Sequence, residues 1–126
     1  MPVQHYQQLI AWQKAIDLVA DVYRSTAKFP REELYGLTSQ MRRAAVSVPS
    51  NIAEGQGRKS RGEFQHFLGI AKGSLFELET QVLISVRLGF MATDQSKPLQ
   101  ALIHEVGRIV SGLMASLKEK ELATSH

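Results

Sequence analysis

The chain has 126 residues, of which 44% are hydrophobic and 21% are charged, with a formal net charge of +3 and no cysteine. This length predicts one globular domain over residues 1–126. The lack of cysteine excludes disulfides and thiolate metal sites, and no apolar run approaches the roughly 18 residues that a membrane span needs. Because the N-terminal segment also lacks the pattern of a secretion signal, we expect a soluble, cytoplasmic protein without a membrane partner.

Four amphipathic segments follow one another along the chain. Their apolar residues recur at spacings of three and four, which predicts helices over approximately residues 8–27, 32–56, 61–88 and 97–120. The short links between them predict an all-α, up-down-up-down antiparallel four-helix bundle. The expected core stripes are Leu9, Trp12, Ile16, Val19 and Tyr23; then Leu34, Leu37, Met41, Ala45, Val48 and Ile52; then Phe64, Phe67, Ala71, Leu75, Leu78, Val82 and Val86; and finally Leu99, Leu102, Val106, Ile109, Leu113 and Leu117.

Residues that favour the starts and ends of helices lie close to these boundaries. Pro30 ends the first helix, and the acidic pair Glu32 and Glu33 suits the positive N-terminal end of the second. Ser60 followed by Glu63 has the spacing of a capping box, which predicts the start of the third helix at this point. Gly89 is a suitable stop for the third helix.

Pro49 falls inside the second predicted helix. A proline there removes one backbone hydrogen bond and typically costs ~3 kcal/mol. The helix either kinks or stops and restarts at Ser50, and the apolar spacing through Ile52 favours a kink. Ser47, Ser50 and Asn51 are candidates to satisfy the freed carbonyls.

The positive charge is concentrated in residues 42–61, which hold five basic groups and one acid, whereas the rest of the chain is balanced. Such a cluster attracts phosphate or an acidic protein surface. Glu54 can pair with Arg58 at i,i+4 and offset one charge. The segment contains no aromatic residue, so we do not expect bases to stack on it. The candidate nucleic-acid-binding residues are Arg42, Arg43, Arg58, Lys59 and Arg61. The alternative is a solvated loop beside two surface arginines.

Two motifs invite a catalytic or metal interpretation. Residues 55–60 resemble a phosphate loop, but Arg58 stands where the Walker pattern requires glycine, and a helix precedes the segment instead of a strand. Glu63 and His66 have the spacing of a di-iron ligand pair, but such sites need a second pair and two further glutamates. We therefore predict no catalytic residue, no metal site and no cofactor, and we expect a protein that is not an enzyme.

Small and apolar residues outside the main stripes concern packing. Gly69 and Gly73 lie one turn apart in the third helix, a spacing that permits close approach of another helix. Four apolar residues that lie off the predicted stripes are candidates for contacts between subunits. They are Leu18, Val22, Leu83 and Ile84.

One long segment is specific enough to compare with a known family. Residues 35–55 read YGLTSQMRRAAVSVPSNIAEG. Together with flanking matches at residues 11–15, 29–33, 57–58 and 70–79, this run strongly resembles the bacterial four-helix bundle family named after proteins encoded in intervening sequences of 23S ribosomal RNA genes. The resemblance covers nearly the whole chain.

The resemblance implies a four-helix bundle that assembles as a ring-like homopentamer and has no enzymatic activity. The family is similar to the accessory variability determinant of diversity-generating retroelements, a basic pentamer that binds nucleic acid and a partner reverse transcriptase. The matching positions are Arg42, Arg43, Arg58 and Lys59 for the basic residues and Pro49, Asn51 and Gly55 for the structural turn or kink. Arg61 is supported by its charge alone.

Two functions remain open at this point. The first is a non-catalytic homo-oligomer that binds RNA or DNA through the basic residues with little sequence specificity. The second is an oligomeric scaffold in which Arg42 and Arg43 form salt bridges with acids such as Glu77 and Glu79, or across a subunit interface. The sequence leaves the physiological ligand open.

Overall fold

The computed structural model describes the backbone of residues 5–124 and the side chains of residues 5–120. Its four helices are α1 (Ile10–Thr26), α2 (Leu37–Gln56), α3 (Arg61–Arg87) and α4 (Thr93–Thr124), and no strand occurs in this part of the chain. Each helix packs against the next in chain order, and α1 packs against α4. This arrangement confirms the predicted all-α four-helix bundle.

The starts of α2 and α4 differ from the prediction. Arg31–Glu33 forms a separate 3-10 turn, and the carboxylate of Glu33 accepts a hydrogen bond from the backbone nitrogen of Leu37 at 3.1 Å. Glu33 therefore caps α2 from outside the helix. Helix α4 begins about one turn early because the side chain of Gln95 accepts from the backbone nitrogen of Ala92 at 3.1 Å, which is half of a capping box.

Helix α2 continues through Pro49, whose side chain is buried. The structure thus contradicts a stop and restart at Ser50. Pro49 has no N–H group, so the carbonyl of Ala45 lacks its usual helical hydrogen bond. The side-chain amide of Asn51 donates instead to the carbonyl of Ser47 at 2.8 Å and to the Ser47 hydroxyl at 2.9 Å. The Ser47 hydroxyl lies 2.8 Å from that of Ser74. Asn51 therefore helps to tie α2 to α3.

The predicted core stripe of α1 is only partly correct, because three of its five residues, Leu9, Trp12 and Val19, pack against the core while remaining partly exposed. Ile16 and Tyr23 from the predicted stripe are exposed, whereas Leu18 and Val22 have no exposed surface. Leu18 and Val22 are therefore core residues and not candidates for subunit contacts. The fully buried stripe lies one residue away along the chain and includes two small alanines. It consists of Ala11, Ala15, Leu18, Val22 and Thr26.

The other stripes agree better with the structure. Met41, Val48, Leu78 and Val106 are fully buried, whereas Leu34, at the edge of the second stripe, is exposed. In α4 the core also includes residues that the prediction left out, namely Ile103 and Val110.

Glycines play two different roles in α2 and α3. A Cβ atom on Gly55 would lie 2.8 Å from the Cβ atom of Phe67 and 3.0 Å from the ring of Phe64, so Gly55 allows α2 to approach α3 closely. In contrast, a Cβ atom on Gly69 or Gly73 would meet nothing within 4 Å in the described structure. The expectation that these two glycines permit close helix packing is therefore wrong within the chain.

Both predicted ends of α3 are confirmed. The hydroxyl of Ser60 accepts a hydrogen bond from the backbone nitrogen of Glu63 at 3.0 Å, and Gly89, just beyond the helix, has a positive φ of 80°. Because an N-cap hydroxyl satisfies an otherwise unpaired amide, we expect Ser60→Ala to lower the free energy of unfolding by about 1 kcal/mol in urea titrations. Ser60→Asp should retain the stability, and equal stability of both variants would contradict this role.

Candidate nucleic-acid interface

The five predicted basic residues fall into two separate regions. Arg42 and Arg43 lie in the second turn of α2, whereas Arg58, Lys59 and Arg61 surround the turn between α2 and α3. At 1.5 Å per residue, the helix between Arg43 and its end at Gln56 is about 20 Å long. The basic residues of segment 42–61 therefore form two groups, one on α2 and one at the turn that follows it.

Arg42 is held against the end of α1. Its Nε donates to the hydroxyl of Thr26 at 2.9 Å, and its guanidinium lies 4.5 Å from the centre of the Tyr23 ring. Thr26 is buried and its hydroxyl in turn donates to the carbonyl of Val22 at 2.8 Å. The guanidinium also faces the negative C-terminal end of the α1 dipole. These contacts give Arg42 a structural role at the junction of α1 and α2.

Arg43 is placed differently. Its side chain is exposed, and no hydrogen bond or ion pair among residues 5–120 involves it. It therefore keeps its full positive charge available at the surface. Of the two adjacent arginines, Arg43 is the one that can accept an external anion without losing a contact within the chain.

Both arginines line a surface depression between α1 and α2, which we call the α1–α2 groove. It has a volume of about 610 Å³. Two tyrosines line it as well, one from α1 and one from the link before α2, so the groove combines aromatic rings with guanidinium groups. The lining residues are Tyr23, Leu34, Tyr35, Thr38, Ser39, Arg42, Arg43, Val46 and Ser47.

The α1–α2 groove contains aromatic rings that the basic segment itself lacks. Residues 42–61 contain no aromatic residue, but the fold brings Tyr23 and Tyr35 into the same groove as Arg42 and Arg43. Sequence reasoning missed both tyrosines, because it considered aromatic residues only within the basic segment. Tyr35 is the first residue of the run over residues 35–55 that resembles the known family. No feature of the sequence around it indicates that its side chain is exposed.

The α2–α3 turn offers less available charge. Arg58 forms the predicted salt bridge with Glu54 at 2.9 Å and lies over the ring of Phe67. Arg61 reaches the backbone carbonyl of Lys120 in α4 at 3.4 Å. Lys59 is exposed, and none of the ion pairs in the described part of the chain includes it. Lys59 is therefore the main candidate for an external contact in this turn.

The salt bridges that a scaffold function would require within the chain do not form as expected. Glu79 pairs with His104 of α4, and Glu77 accepts a hydrogen bond from Gln81 at 3.3 Å. Arg42 instead contacts α1. Arg43 and Glu77 do line one depression of about 350 Å³, but no ion pair joins them in the described structure.

Other kinds of site find no support in the described residues. Glu63 and His66 are both exposed, and no group of three or more histidine, cysteine or acidic residues is arranged to hold a metal ion within the part of the chain described. The same part contains no helix that is long and apolar enough to span a membrane.

A protein of known structure has a fold similar to that of this chain. A protein of unknown function from the S23 ribosomal protein family of Bacteroides thetaiotaomicron VPI-5482 has a similar structure, with a TM-score of 0.75 and 18% sequence identity. The similarity covers 83% of this chain and 98% of that one, and at this identity it shows the fold alone. No curated protein matches the chain.

The family model described as 23S rRNA-intervening sequence protein matches residues 7–112. This match includes α1, α2 and α3 entirely and extends well into α4. It therefore contains the α1–α2 groove and the α2–α3 turn, as well as the long run that carries the resemblance in sequence. Because the match spans most of the chain, this protein belongs to the 23S rRNA-intervening sequence protein family.

Proposed function

We propose that this protein is a cytoplasmic, non-catalytic accessory protein that binds RNA or DNA with little sequence specificity, as a homo-oligomer. The observation that supports this proposal most directly concerns Arg43. Its guanidinium is exposed in the α1–α2 groove and forms no ion pair or hydrogen bond with the residues that the structure describes. A guanidinium can donate two parallel hydrogen bonds to one phosphate.

The surroundings of Arg43 favour an anion. The groove includes Thr38 and Ser39 in the first turn of α2, so the positive end of this helix dipole adds to the field of the arginines. Glu33 offsets part of that field, because its carboxylate accepts from the backbone nitrogen of Leu37. Contacts to phosphate carry no sequence information, which is why we propose binding with little sequence preference.

Oligomerisation would increase the total positive charge available to a nucleic acid, because each copy contributes one α1–α2 groove and one α2–α3 turn. A face of α3 is suited to contacts between copies. Leu83 and Ile84 are exposed there, unlike the buried Leu18 and Val22. We propose the ring-like pentamer that the resemblance implies as the assembly. Lys59 would then supply a second phosphate contact in each subunit.

We expect Arg43→Glu to weaken nucleic-acid binding at least about tenfold, because hydrogen bonds to charged groups contribute about 1.5–3 kcal/mol. Arg43→Ala should reduce the slope of log K against log salt concentration by about one per bound site. Fluorescence anisotropy with labelled RNA and DNA, titrated at several salt concentrations, measures both quantities.

The matched control for this experiment is Arg108→Glu. It changes the net charge equally, but Arg108 is exposed on α4, which does not pack against α2 in the described structure. This variant should bind almost as tightly as the wild type. If wild-type protein binds neither RNA nor DNA at low salt, the proposed function is wrong.

The alternative function is an oligomeric scaffold, and one observation favours it. Arg43 and Glu77 line the same depression, together with Ser74, so a small movement or a second copy could bring the charges into contact. Size-exclusion chromatography of Arg43→Glu separates the two functions. Loss of the oligomer supports the scaffold, whereas an intact oligomer with weakened nucleic-acid binding supports the contact with phosphate.

A further inference from the structure

Tyr35 is the most exposed large hydrophobic side chain in the described part of the chain, with 93% of its surface accessible. Within residues 5–120, its ring takes part in no aromatic pair, cation–π contact or hydrogen bond. The packing of the bundle therefore does not explain its position. It nevertheless lines the α1–α2 groove together with Arg43.

The backbone around Tyr35 is well supported by hydrogen bonds. The nitrogen of Leu34 donates to the carbonyl of Arg31 at 3.1 Å, and the nitrogen of Gly36 donates to that of Glu33 at 3.0 Å. Helix α2 begins two residues after Tyr35. The tyrosine thus stands on a short ordered turn, so binding would need to immobilise mainly its side chain.

A second flat surface lies in the same groove. The guanidinium of Arg42 stacks on the ring of Tyr23 at 4.5 Å and is fixed there by Thr26. The groove therefore combines three features: the exposed ring of Tyr35, the stacked pair of Arg42 and Tyr23, and the guanidinium of Arg43. Within the described part of the chain, Arg43 has no ion-pair partner. Aromatic rings beside basic groups are typical of sites that bind single-stranded nucleic acid.

From these observations we infer that Tyr35 stacks on an unpaired base, and that the protein binds single-stranded nucleic acid in preference to duplex. This inference rests on the proposed function and specifies its ligand. In a duplex both faces of each base are covered by neighbouring bases, whereas in a single strand a base can turn outward and lie on a side chain. Arg43 would hold an adjacent phosphate.

The test uses the full chain with fluorescein-labelled 20-nucleotide oligo(dT) and oligo(rU) and a blunt 20-base-pair DNA duplex. We expect Tyr35→Ala to weaken binding of the single strands about 5- to 150-fold, the range that corresponds to the loss of one stacked base. Its affinity for the duplex should not change. Tyr35→Phe should retain single-strand binding, because it keeps the ring and loses only the hydroxyl.

A direct signal of stacking comes from Tyr35→Trp. Oligo(dT) should quench the fluorescence of this variant more than that of the wild type, whose one tryptophan, Trp12, lies on α1 outside the groove. Phe76→Ala is the matched control, because Phe76 is exposed but lines a different depression, between α3 and α4. It should bind single strands like the wild type.

The outcomes separate the inference from the function on which it rests. If wild-type protein binds neither single strands nor duplex, the proposed function is wrong. If it binds both equally and Tyr35→Ala retains full affinity, the function stands and the inference is overturned. The inference is also overturned if Tyr35→Ala breaks the oligomer on a sizing column, since Tyr35 would then serve a protein contact.

Discussion

Replacing Leu18 with alanine should lower the free energy of unfolding by about 2–5 kcal/mol, the range for removing a fully buried leucine side chain. Leu18 has 0% of its surface exposed and belongs to the core that all four helices share. The substitution leaves a cavity that the surrounding helices fill only in part. Chemical denaturation at one fixed protein concentration measures the effect, since the stability of an oligomer depends on concentration.

Ile16→Ala is the matched control for this experiment. Ile16 is two residues away in α1, belongs to the stripe that the sequence pattern predicted as core, and is 41% exposed. We expect its loss to cost less than about 1 kcal/mol, partly because alanine has the higher helix propensity. If Ile16→Ala destabilised the protein as much as Leu18→Ala, the orientation of α1 described above would be wrong.

The second large effect is expected at Gly55. A Cβ atom there would lie only 2.8 Å from the Cβ atom of Phe67, which is attached directly to the α3 backbone and cannot rotate away. Gly55→Val would therefore force α2 and α3 apart. We expect a loss of stability near the upper end of the range of about 1–3 kcal/mol for overpacked cores.

Gly69→Val provides the comparison for Gly55→Val. Gly69 is an exposed helical glycine, and a Cβ atom there would meet nothing within 4 Å in the described structure. The same substitution at this site should change the stability by about 0.5 kcal/mol or less. Thermal and urea unfolding of the two variants should thus differ clearly, and similar results would show that Gly55 is not a point of close helix contact.

The two stability predictions bear on the function. Gly55 and the hydrogen-bonded chain from Asn51 through Ser47 to Ser74 fix α2 against α3. Thr26 and Arg42 fix it against α1. The α1–α2 groove is therefore built on a helix, α2, that is held on both sides. Such rigidity lowers the entropic cost of binding a ligand.

The sequence was sufficient for features that depend on neighbouring residues. Helical periodicity predicted four helices and the bundle, and the capping chemistry of Ser60 and the stop at Gly89 located the ends of α3. The i,i+4 spacing predicted the salt bridge between Glu54 and Arg58. The family resemblance likewise rests on a contiguous run and is confirmed by the match over residues 7–112.

Only the tertiary structure decided which side of α1 faces the core and which basic groups are available. Two apolar stripes lie side by side on α1, so periodicity alone could not choose between Ile16 and Leu18. Adjacent arginines look equivalent in sequence, but Thr26 and Tyr23 hold Arg42 and leave Arg43 exposed. Burial and pairing depend on side chains from distant parts of the chain, and these meet only when the helices pack.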